Sequence, residues 1–424
     1  MTHKVYVVTD LGSGDGGKGS IVHKLTTMMP VHTVIKRGGA QGSHGVHTSQ
    51  GQKFNFSQWG CGTFDGIPTH LSSQMVISPE GLLNEAAHLH YEYGIDNAFS
   101  LLTADERALC ATPFHGIASR LKELARGANS RGTVGTGVGE AYRRYRAHAE
   151  RSILVGDLQS ADIRKRLAAI RSGVQADMQP VIDGEFLPAD QDAAQHEIDL
   201  LFDDGFLNYV VERFGEAANQ LTIVDRTYLG EFILPRRGAA VIESSHGVLT
   251  DREIGYHPHT SAIRTLPRFG EALLRQADYD GPVVHLGVTR AYAVRHGAGP
   301  LPTNNPALAD RLLPNRVADD NRYQGQIRVG ALDFAQLRYA IKACGGPSAF
   351  AGLAVTCFDQ VAADHGWDVC YGYDSVADTI RIPLDPDLNK DGLYDVCAKV
   401  MGEATGIPVR MVSFGPTEHD KLCK

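Results

Sequence analysis

Apolar runs and amphipathic stretches follow one another along this chain, and their order predicts its architecture. Apolar runs rich in β-branched residues predict strands at residues 5–8, 32–35, 75–77, 221–224, 239–242, 282–288, 351–356 and 408–413. Helical spacing of apolar residues predicts helices between several of these strands, including residues 79–90, 117–125 and 334–343. Because strands alternate with helices, we predict an α/β fold with a large, mostly parallel central sheet flanked by helices.

One segment interrupts this alternation. Residues 161–219 show a mainly helical and rather acidic pattern between two strand-rich portions. We interpret this segment as an insertion, so that residues 1–424 form a single α/β domain with a helical insertion at about 161–219.

Composition narrows the class of protein. Hydrophobic residues make up 43% and charged residues 21% of the 424 positions, which is typical of a soluble globular protein. The net charge of −8 argues against a nucleic-acid surface, and no apolar stretch is long enough to span a bilayer. Seven scattered cysteines without a Cys-x-x-Cys pair indicate reduced thiols and no zinc site. We therefore expect a cytoplasmic protein without nucleic-acid or membrane partners.

The most informative motif is the glycine-dense stretch at residues 12–20, between the first predicted strand and a helical pattern. Backbone N–H groups in such a turn, followed by a helix N-terminus, suit phosphate oxygens. Gly12, Gly17 and Lys18 have the Walker A spacing, but Gly19 stands where that motif has Ser or Thr. Asp15 adds an acid within the loop, which predicts metal binding or proton abstraction beside a transferable phosphate.

Three further loops are rich in glycine and polar residues. They lie at residues 37–44, 132–139 and 296–303, and the first and third follow predicted strands. Loops at the carboxyl ends of parallel strands meet at one edge of the sheet. We therefore expect a ligand crevice where these loops converge with the phosphate loop.

The chain resembles the adenylosuccinate synthetase family, whose phosphate loop has the form Gly-Asp-Glu-Gly-Lys-Gly-Lys. Residues 14–20 match this loop as Gly-Asp-Gly-Gly-Lys-Gly-Ser. Further family motifs are matched in family order by residues 132–142, 155–158, 295–303, 330–333, 356–359 and 413–416. The resemblance therefore extends over about the whole chain.

This resemblance implies an NTP-dependent carbon–nitrogen ligase and a homodimer. The enzyme would phosphorylate the 6-oxo group of a purine nucleotide and displace phosphate with the amine of aspartate, using Mg²⁺ and GTP as co-substrate. Phosphorylation would come first because a 6-oxo group is a poor leaving group until it is phosphorylated. The implied catalytic residues are Asp15 as base, His44 as acid or electrophile, and Lys18, with His47 as the competing assignment for His44.

The resemblance also assigns binding residues. Those expected to bind the donor nucleotide and its phosphates are Gly14, Gly16, Gly17, Gly19, Ser20, Asp359, Ser413, Gly415 and Pro416. Those expected to bind the acceptor nucleotide are Gln41, Thr133, Arg146, Arg151, His246, Thr260 and His296, with Arg146 or Arg151 reaching a neighbouring subunit. Arg322 and Arg328 would bind the amino acid, and Asp15, Gly42 and Ser43 would hold the metal.

Several positions depart from the family pattern and leave alternatives open. Cys357 replaces a lysine that packs along guanine, so ATP is an alternative donor, and the arginine run before residue 330 is reduced. His246 replaces a glutamine and His296 a valine at the acceptor site, while Asp15 favours IMP. The alternatives are 2-aminoadenylosuccinate synthesis from (d)GMP, as in phage relatives, a paralogue using another amine or oxo substrate, and a catalytically silent nucleotide sensor.

Overall fold

A computed structural model describes residues 3–315, 322–374 and 377–424 of the chain. Its strands are β1 (Lys4–Asp10), β2 (Val31–Gly39), β3 (His44–His47), β4 (Lys53–Phe56), β5 (Thr69–Ile77), β6 (Leu102–Asp105), β7 (Leu109–Cys110), β8 (Thr222–Val224), β9 (Ala239–Ser244), β10 (Val283–Arg290), β11 (Ala293–His296), β12 (Ile327–Gly330), β13 (Leu332–Asp333), β14 (Gly352–Thr356), β15 (Gly366–Tyr373), β16 (Ala377–Pro383), β17 (Val409–Ser413) and β18 (Lys421–Cys423).

The helices are α1 (Lys18–Met28), α2 (Pro79–Tyr93), α3 (Pro113–Arg126), α4 (Val138–Ala147), α5 (Ile163–Ile182), α6 (Gln191–Phe202), α7 (Asp204–Gln220), α8 (Pro267–Gln276), α9 (Pro306–Leu312), α10 (Phe334–Ala343), α11 (Phe358–Ala363) and α12 (Lys390–Thr405). Several begin where the sequence provides a capping residue. Ser78 accepts a hydrogen bond from the N–H of Gly81 at the start of α2, and Asp333 does the same for Gln336 in α10. Within the described residues, no helix combines the length and apolarity needed to cross a bilayer.

The main sheet has eleven strands in the order β18-β17-β14-β10-β1-β9-β2-β5-β6-β8, with β7 also paired to β5. All of its pairs are parallel except β17 with β18. The predicted α/β class and mostly parallel sheet are therefore confirmed. The carboxyl ends of β1, β2, β9, β10, β14 and β17 lie along one edge, and each is followed by a loop discussed below.

Both faces of the sheet are covered. Val7 of β1 packs in one apolar cluster with α8, whereas its neighbour Val8 packs with Ile21 and Val22 of α1 in another. Successive side chains of a strand point to opposite faces, so a run buried on both sides is apolar at every position. This explains why the central strands appear in the sequence as continuous apolar runs.

Burial also affects the titration of the histidines. It lowers the pKa of His32, His44, His70 and His246 to about 4 and that of His115 to about 3. Glu85 shifts the other way, because burial raises its pKa to about 7. In acid, the five histidines of the folded chain bind fewer protons than those of the unfolded chain, and this effect is larger than the opposite effect of the single glutamate. The folded state is therefore favoured at pH values where the imidazoles are neutral.

We expect acid to destabilise the protein between about pH 6.5 and pH 4. Above pH 6.5 these histidines are neutral in both states; below it, the unfolded chain binds protons that the folded chain does not. Replacing His70→Asn should reduce the loss of unfolding free energy between pH 7 and pH 5 by about 1–2 kcal/mol. Urea titrations at each pH measure this, with the exposed His90→Asn as control. An unchanged pH slope in the His70 variant would contradict the expectation.

Candidate active site

The phosphate loop is organised around Asp10, the last residue of β1. One carboxylate oxygen of Asp10 accepts the N–H of Gly12 at 2.8 Å, and the other accepts the N–H of Gly16 at 2.8 Å. The second oxygen also lies 3.0 Å from the ammonium of Lys18, and both side chains are buried. A buried carboxylate requires such partners, so the loop folds around it. The positive charge of Lys18 is therefore compensated by the carboxylate of Asp10.

Asp15 has the opposite environment at the tip of this loop. Its backbone is left-handed, with φ of 57°, and its flanking turn includes Gly14 and Gly17 at φ of 107° and 86°. The Asp15 side chain is 43% exposed, and its carboxylate lies 3.3 Å from Nε2 of His296. The loop thus buries one acid for structure and presents a second acid to ligands.

The loop after β9 packs directly on the phosphate loop. The N–H of Leu249 donates to the carbonyl of Gly12 at 3.0 Å. A Cβ at Gly247 would lie 2.2 Å from that same carbonyl oxygen, so only glycine permits this contact. His246, in a left-handed conformation, lies 2.7 Å from the Gln41 amide nitrogen through Nε2. Two residues predicted at the acceptor site, Gln41 and His246, are therefore brought together.

His44 is held by a buried carboxylate. Its Nδ1 lies 2.5 Å from Oε1 of Glu243, the same oxygen that accepts from the ammonium of Lys36 at 2.7 Å. The backbone N–H of Cys61 donates to the other oxygen at 3.0 Å. Lys36 and Glu243 are fully buried, and His44 is nearly so. This network fixes the imidazole and directs its second nitrogen away from Glu243.

Electrostatics define the protonation of this network. Burial alone would raise the pKa of Glu243, but the charge of Lys36 and the hydrogen bond from His44 outweigh it and hold the pKa well below its ordinary value. Since Glu243 is ionised and the pKa of His44 is lowered to about 4, Nδ1 of a neutral His44 carries the proton that Glu243 accepts. His44, Cys61 and Glu243 lie close enough to hold a metal, but Lys36 already neutralises the carboxylate.

His47 occupies a different environment. It is half-buried on the β3–β4 hairpin and pairs in register with Lys53. His44 and His47 are three positions apart on one strand, so their side chains point to opposite faces. The structure thus joins His44, and not His47, to the Glu243 network.

The segment predicted to read the donor base also reaches the phosphate loop. The hydroxyl of Thr356, at the end of β14, donates to the carbonyl of Gly16 at 2.8 Å. Asp359 lies in the first turn of α11, and burial raises its pKa. The ammonium of Lys421 donates to the carbonyls of residues 415–417 at 2.7–3.2 Å, which fixes the loop containing Gly415 and Pro416. Ser413 donates to the Gly415 carbonyl at 3.1 Å.

The remaining predicted donor-site residues lie at the start of α1. Gly17 is the residue before this helix, and its carbonyl accepts the hydroxyl of Ser20 at 3.0 Å. A Cβ at Gly19 would lie 2.7 Å from the carbonyl of Gly45, so glycine allows the β3 hairpin to approach the helix. The helix N-terminus therefore lies against the segment that carries His44.

Other predicted acceptor-site residues are more dispersed. Thr133 donates its N–H to the carbonyl of Tyr323 at 2.9 Å, and its hydroxyl lies 3.2 Å from that of Ser119. Thr260 is half-buried in the loop before α8. Arg146, at the end of α4, and Arg151, in the following turn, are both exposed.

The two predicted amino-acid-binding arginines point in different directions. Arg328 donates to the carbonyls of Gly297 and Gly299 at 2.9 and 2.6 Å, which places it at the 296–303 loop. Arg322 is paired instead with Asp190 at 2.9 Å, on the helical segment. The structure therefore brings only Arg328 to the loop that carries His296.

The residues predicted to hold Mg²⁺ suit a hard cation. Asp15 offers an exposed carboxylate, Ser43 an exposed hydroxyl, and Gly42 a backbone carbonyl, and Mg²⁺ prefers oxygen ligands. Their two loops meet at the segment after β9, because a Cβ at Gly42 would lie 2.7 Å from Ser245 and Gly14 adjoins Gly247. The donor set therefore fits the predicted metal.

Several site residues were not identified from the sequence. Asp10, Lys36, Glu243 and Arg290 each lie in or at the end of an apolar strand. A charged residue within a strand buried on both faces needs a partner. A charged residue inside an apolar run was therefore the sequence feature that could have identified these positions. The partners Lys36 and Glu243 come from different strands and could not be read from local spacing.

We expect Gly247→Ala to displace the phosphate loop, because the added methyl group would clash with the Gly12 carbonyl. The variant should lose about 1–3 kcal/mol of unfolding free energy and bind nucleotide more weakly. Gly215→Ala, in α7 and with open space around its Cβ, is the matched control and should be stable or stabilised. Urea denaturation measures the loss of stability, and titration with a fluorescent nucleotide measures the loss of affinity. Equal stability and equal nucleotide affinity of the two variants would contradict this expectation.

Comparisons with known proteins identify the family of this chain. The family model described as adenylosuccinate synthetase matches residues 7–407. The adenylosuccinate synthetase of Natronomonas pharaonis is 28% identical over 383 residues, covering 84% of this chain and 79% of the relative. Adenylosuccinate synthetase 1 of Cupriavidus pinatubonensis is 25% identical over 447 residues, covering 96% and 94%.

Solved structures share the fold. Fully ligated adenylosuccinate synthetase from Plasmodium falciparum matches with a TM-score of 0.76 at 16% identity, covering 99% of both chains. The succinoaminodeoxyadenylate synthetase of cyanophage S-2L, bound to dGMP and to dATP as an energy donor, matches with a TM-score of 0.62 at 15% identity, covering 100% of this chain and 96% of that one. Since the family model spans nearly the whole sequence, the chain belongs to the adenylosuccinate synthetase family, carbon–nitrogen ligases that consume a nucleoside triphosphate.

Proposed function

We propose that this protein transfers the γ-phosphoryl group of GTP to the 6-oxygen of a purine nucleotide, favouring IMP, and then replaces that phosphate with the amine of aspartate. One observation carries the proposal. The loop that carries His246 packs on the phosphate loop through Leu249 and Gly12, and the strand that carries His44 packs on the start of α1 at Gly19, so the exposed Asp15, the phosphate loop and the fixed imidazole of His44 belong to adjoining segments. Phosphoryl transfer depends mainly on such positioning and on charge neutralisation.

The first step assigns separate roles to the two catalytic candidates. Asp15, exposed at the loop tip, accepts the N1 proton of the purine, which makes O6 the nucleophile. O6 forms a bond to the γ-phosphorus while the bond to the β-phosphate oxygen breaks. His44, anchored by Glu243 through Nδ1, acts on the reacting oxygen as an acid only when Nε2 also carries a proton, so this role requires the imidazolium form.

The second step completes the ligation. The aspartate amine forms a bond to C6 as the C6–O bond breaks, inorganic phosphate leaves, and the amine loses a proton. When bound, Mg²⁺ neutralises phosphate charge, and Asp15, Gly42 and Ser43 are the residues that would hold it. Arg328 at the 296–303 loop is the candidate for the aspartate carboxylate, with Arg322 as a further candidate that would first leave Asp190.

Specificity and assembly form a further part of the proposal. Asp359 supports GTP through hydrogen bonds to guanine, whereas Cys357 leaves ATP as the alternative donor. His246 and His296 at the acceptor site support (d)GMP as the alternative to IMP.

The exposed Arg146 and Arg151 support a homodimer in which one of them reaches the partner's acceptor phosphate.

A substrate matrix tests the function. Phosphate release is measured with Mg²⁺ and either GTP or ATP, against IMP, GMP, dGMP or no acceptor, with and without aspartate, and products are identified by mass. A succino-nucleotide establishes the ligase and its substrates. Phosphate release without an aspartate adduct indicates another amine, and nucleotide binding without turnover indicates a sensor.

We expect Asp15→Asn to lower turnover by about two to four orders of magnitude, with little change in nucleotide binding measured without Mg²⁺. The amide keeps the shape of the side chain but cannot accept the N1 proton. Turnover and nucleotide affinity are measured separately, with Asp278→Asn as control, since Asp278 is a left-handed aspartate in a distant turn after α8. Normal turnover in the Asp15 variant would exclude it as the base.

A further inference from the structure

The charges around the phosphate loop are unevenly compensated. Lys18 is paired with buried Asp10, so its ammonium contributes little net positive charge to a ligand on the loop. Arg290, the last residue of β10, donates Nε to the carbonyl of Asp15 at 2.5 Å. Within the described ranges, Arg290 forms no ion pair with a carboxylate. It is therefore a cation in contact with the backbone of the phosphate loop that no carboxylate of those ranges pairs with directly.

Arg290 lies at the junction between the phosphate loop and the donor-base segment. It is in register with Thr356 across the β10–β14 pair, and Thr356 in turn donates to the carbonyl of Gly16. Burial alone would lower the pKa of Arg290, but Cys357, Tyr292 and Asp15 outweigh it and raise the pKa. The guanidinium therefore lies between the phosphate loop and the start of the donor-base segment.

The guanidinium is also held in place. Nη1 donates to the hydroxyl of Tyr292 at 2.9 Å, and that hydroxyl donates to the side-chain oxygen of Gln360 in α11. Tyr292 is buried, and the guanidinium carbon lies 5.6 Å from the centroid of its ring. Nε and one proton of Nη1 are occupied, so Nη2 keeps its donors for an oxyanion. A preoriented guanidinium loses little entropy when it binds phosphate.

We propose that Arg290 is a binding residue for the phosphates of the donor nucleoside triphosphate and supplies the positive charge that Lys18 shares with Asp10. The assignment rests on the proposed function only in requiring a nucleoside triphosphate as donor. Guanidinium groups bind phosphate oxygens through charged hydrogen bonds, and a half-buried position strengthens them.

The test is calorimetric titration of the full chain with Mg²⁺-GTP, Mg²⁺-ATP and inorganic triphosphate. Arg290→Gln should weaken binding of all three by about 10- to 100-fold. Arg275→Gln is the matched control, because Arg275 is exposed on α8 and, among the residues that the structure describes, pairs with Glu271 alone. Where activity is measurable, the KM for the triphosphate should rise while that for the acceptor nucleotide stays near its wild-type value.

Two further variants separate binding from folding. Arg290→Lys keeps the charge and should recover part of the affinity lost in Arg290→Gln, even if the glutamine variant is unstable. Tyr292→Phe removes the orienting hydroxyl and should weaken triphosphate binding by a smaller factor. Wild-type affinity for inorganic triphosphate in Arg290→Gln overturns the proposal, as does a wild-type protein that binds no triphosphate.

These titrations, together with the product assay of the substrate matrix, distinguish this proposal from the proposed function. A wild-type chain that makes no succino-nucleotide, but binds triphosphate through Arg290, refutes the ligase and supports the binding residue. A wild-type chain that makes the succino-nucleotide, with an Arg290→Gln variant that binds triphosphate normally, supports the ligase and refutes the binding residue.

Discussion

The buried carboxylate of Asp10 is the constraint on which the active-site edge depends. A carboxylate at the end of a central strand, with no access to water, must be satisfied by the protein. It is satisfied by two loop N–H groups and by Lys18, all from the eight residues that follow. These bonds turn the chain around Asp10, begin α1 at Lys18 and leave Asp15 at the outer tip. The loop therefore has its shape before any phosphate binds.

A second buried acid orders the neighbouring strand. Glu243 of β9 accepts from Lys36 of β2 and from His44, so it joins a central strand to the catalytic candidate. Lys36 carries the positive charge, and the imidazole can remain neutral. The two acids thus have parallel effects: each is buried and pairs with a lysine, Lys18 of α1 or Lys36 of β2, and each helps to position a candidate catalytic residue.

The sequence predicted the parts of this structure that local patterns control. Apolar runs such as residues 351–356 identified central strands, because burial on both faces removes polar residues from every position. Glycines at residues 12–19 identified the phosphate loop, because glycine is the residue type that most readily adopts left-handed backbone. Short hairpins such as β3–β4 were not predicted, since four-residue strands have too few positions to show a period. Ion pairs such as Lys36 with Glu243 connect positions 207 residues apart, and no local pattern in a single sequence predicts them.

The contacts between loops have a consequence for how ligands affect one another. Gly12 touches the loop after β9 through Leu249, and Gly16 touches the end of β14 through Thr356. The phosphate loop therefore lies between the loop after β9 and the end of β14 and is bonded to both. A ligand that orders one side also restricts the shared loop, so the second ligand has less conformational entropy to remove. Under the proposed function these two segments bind the acceptor and the donor, and we then expect binding of one nucleotide to favour binding of the other without any movement of domains.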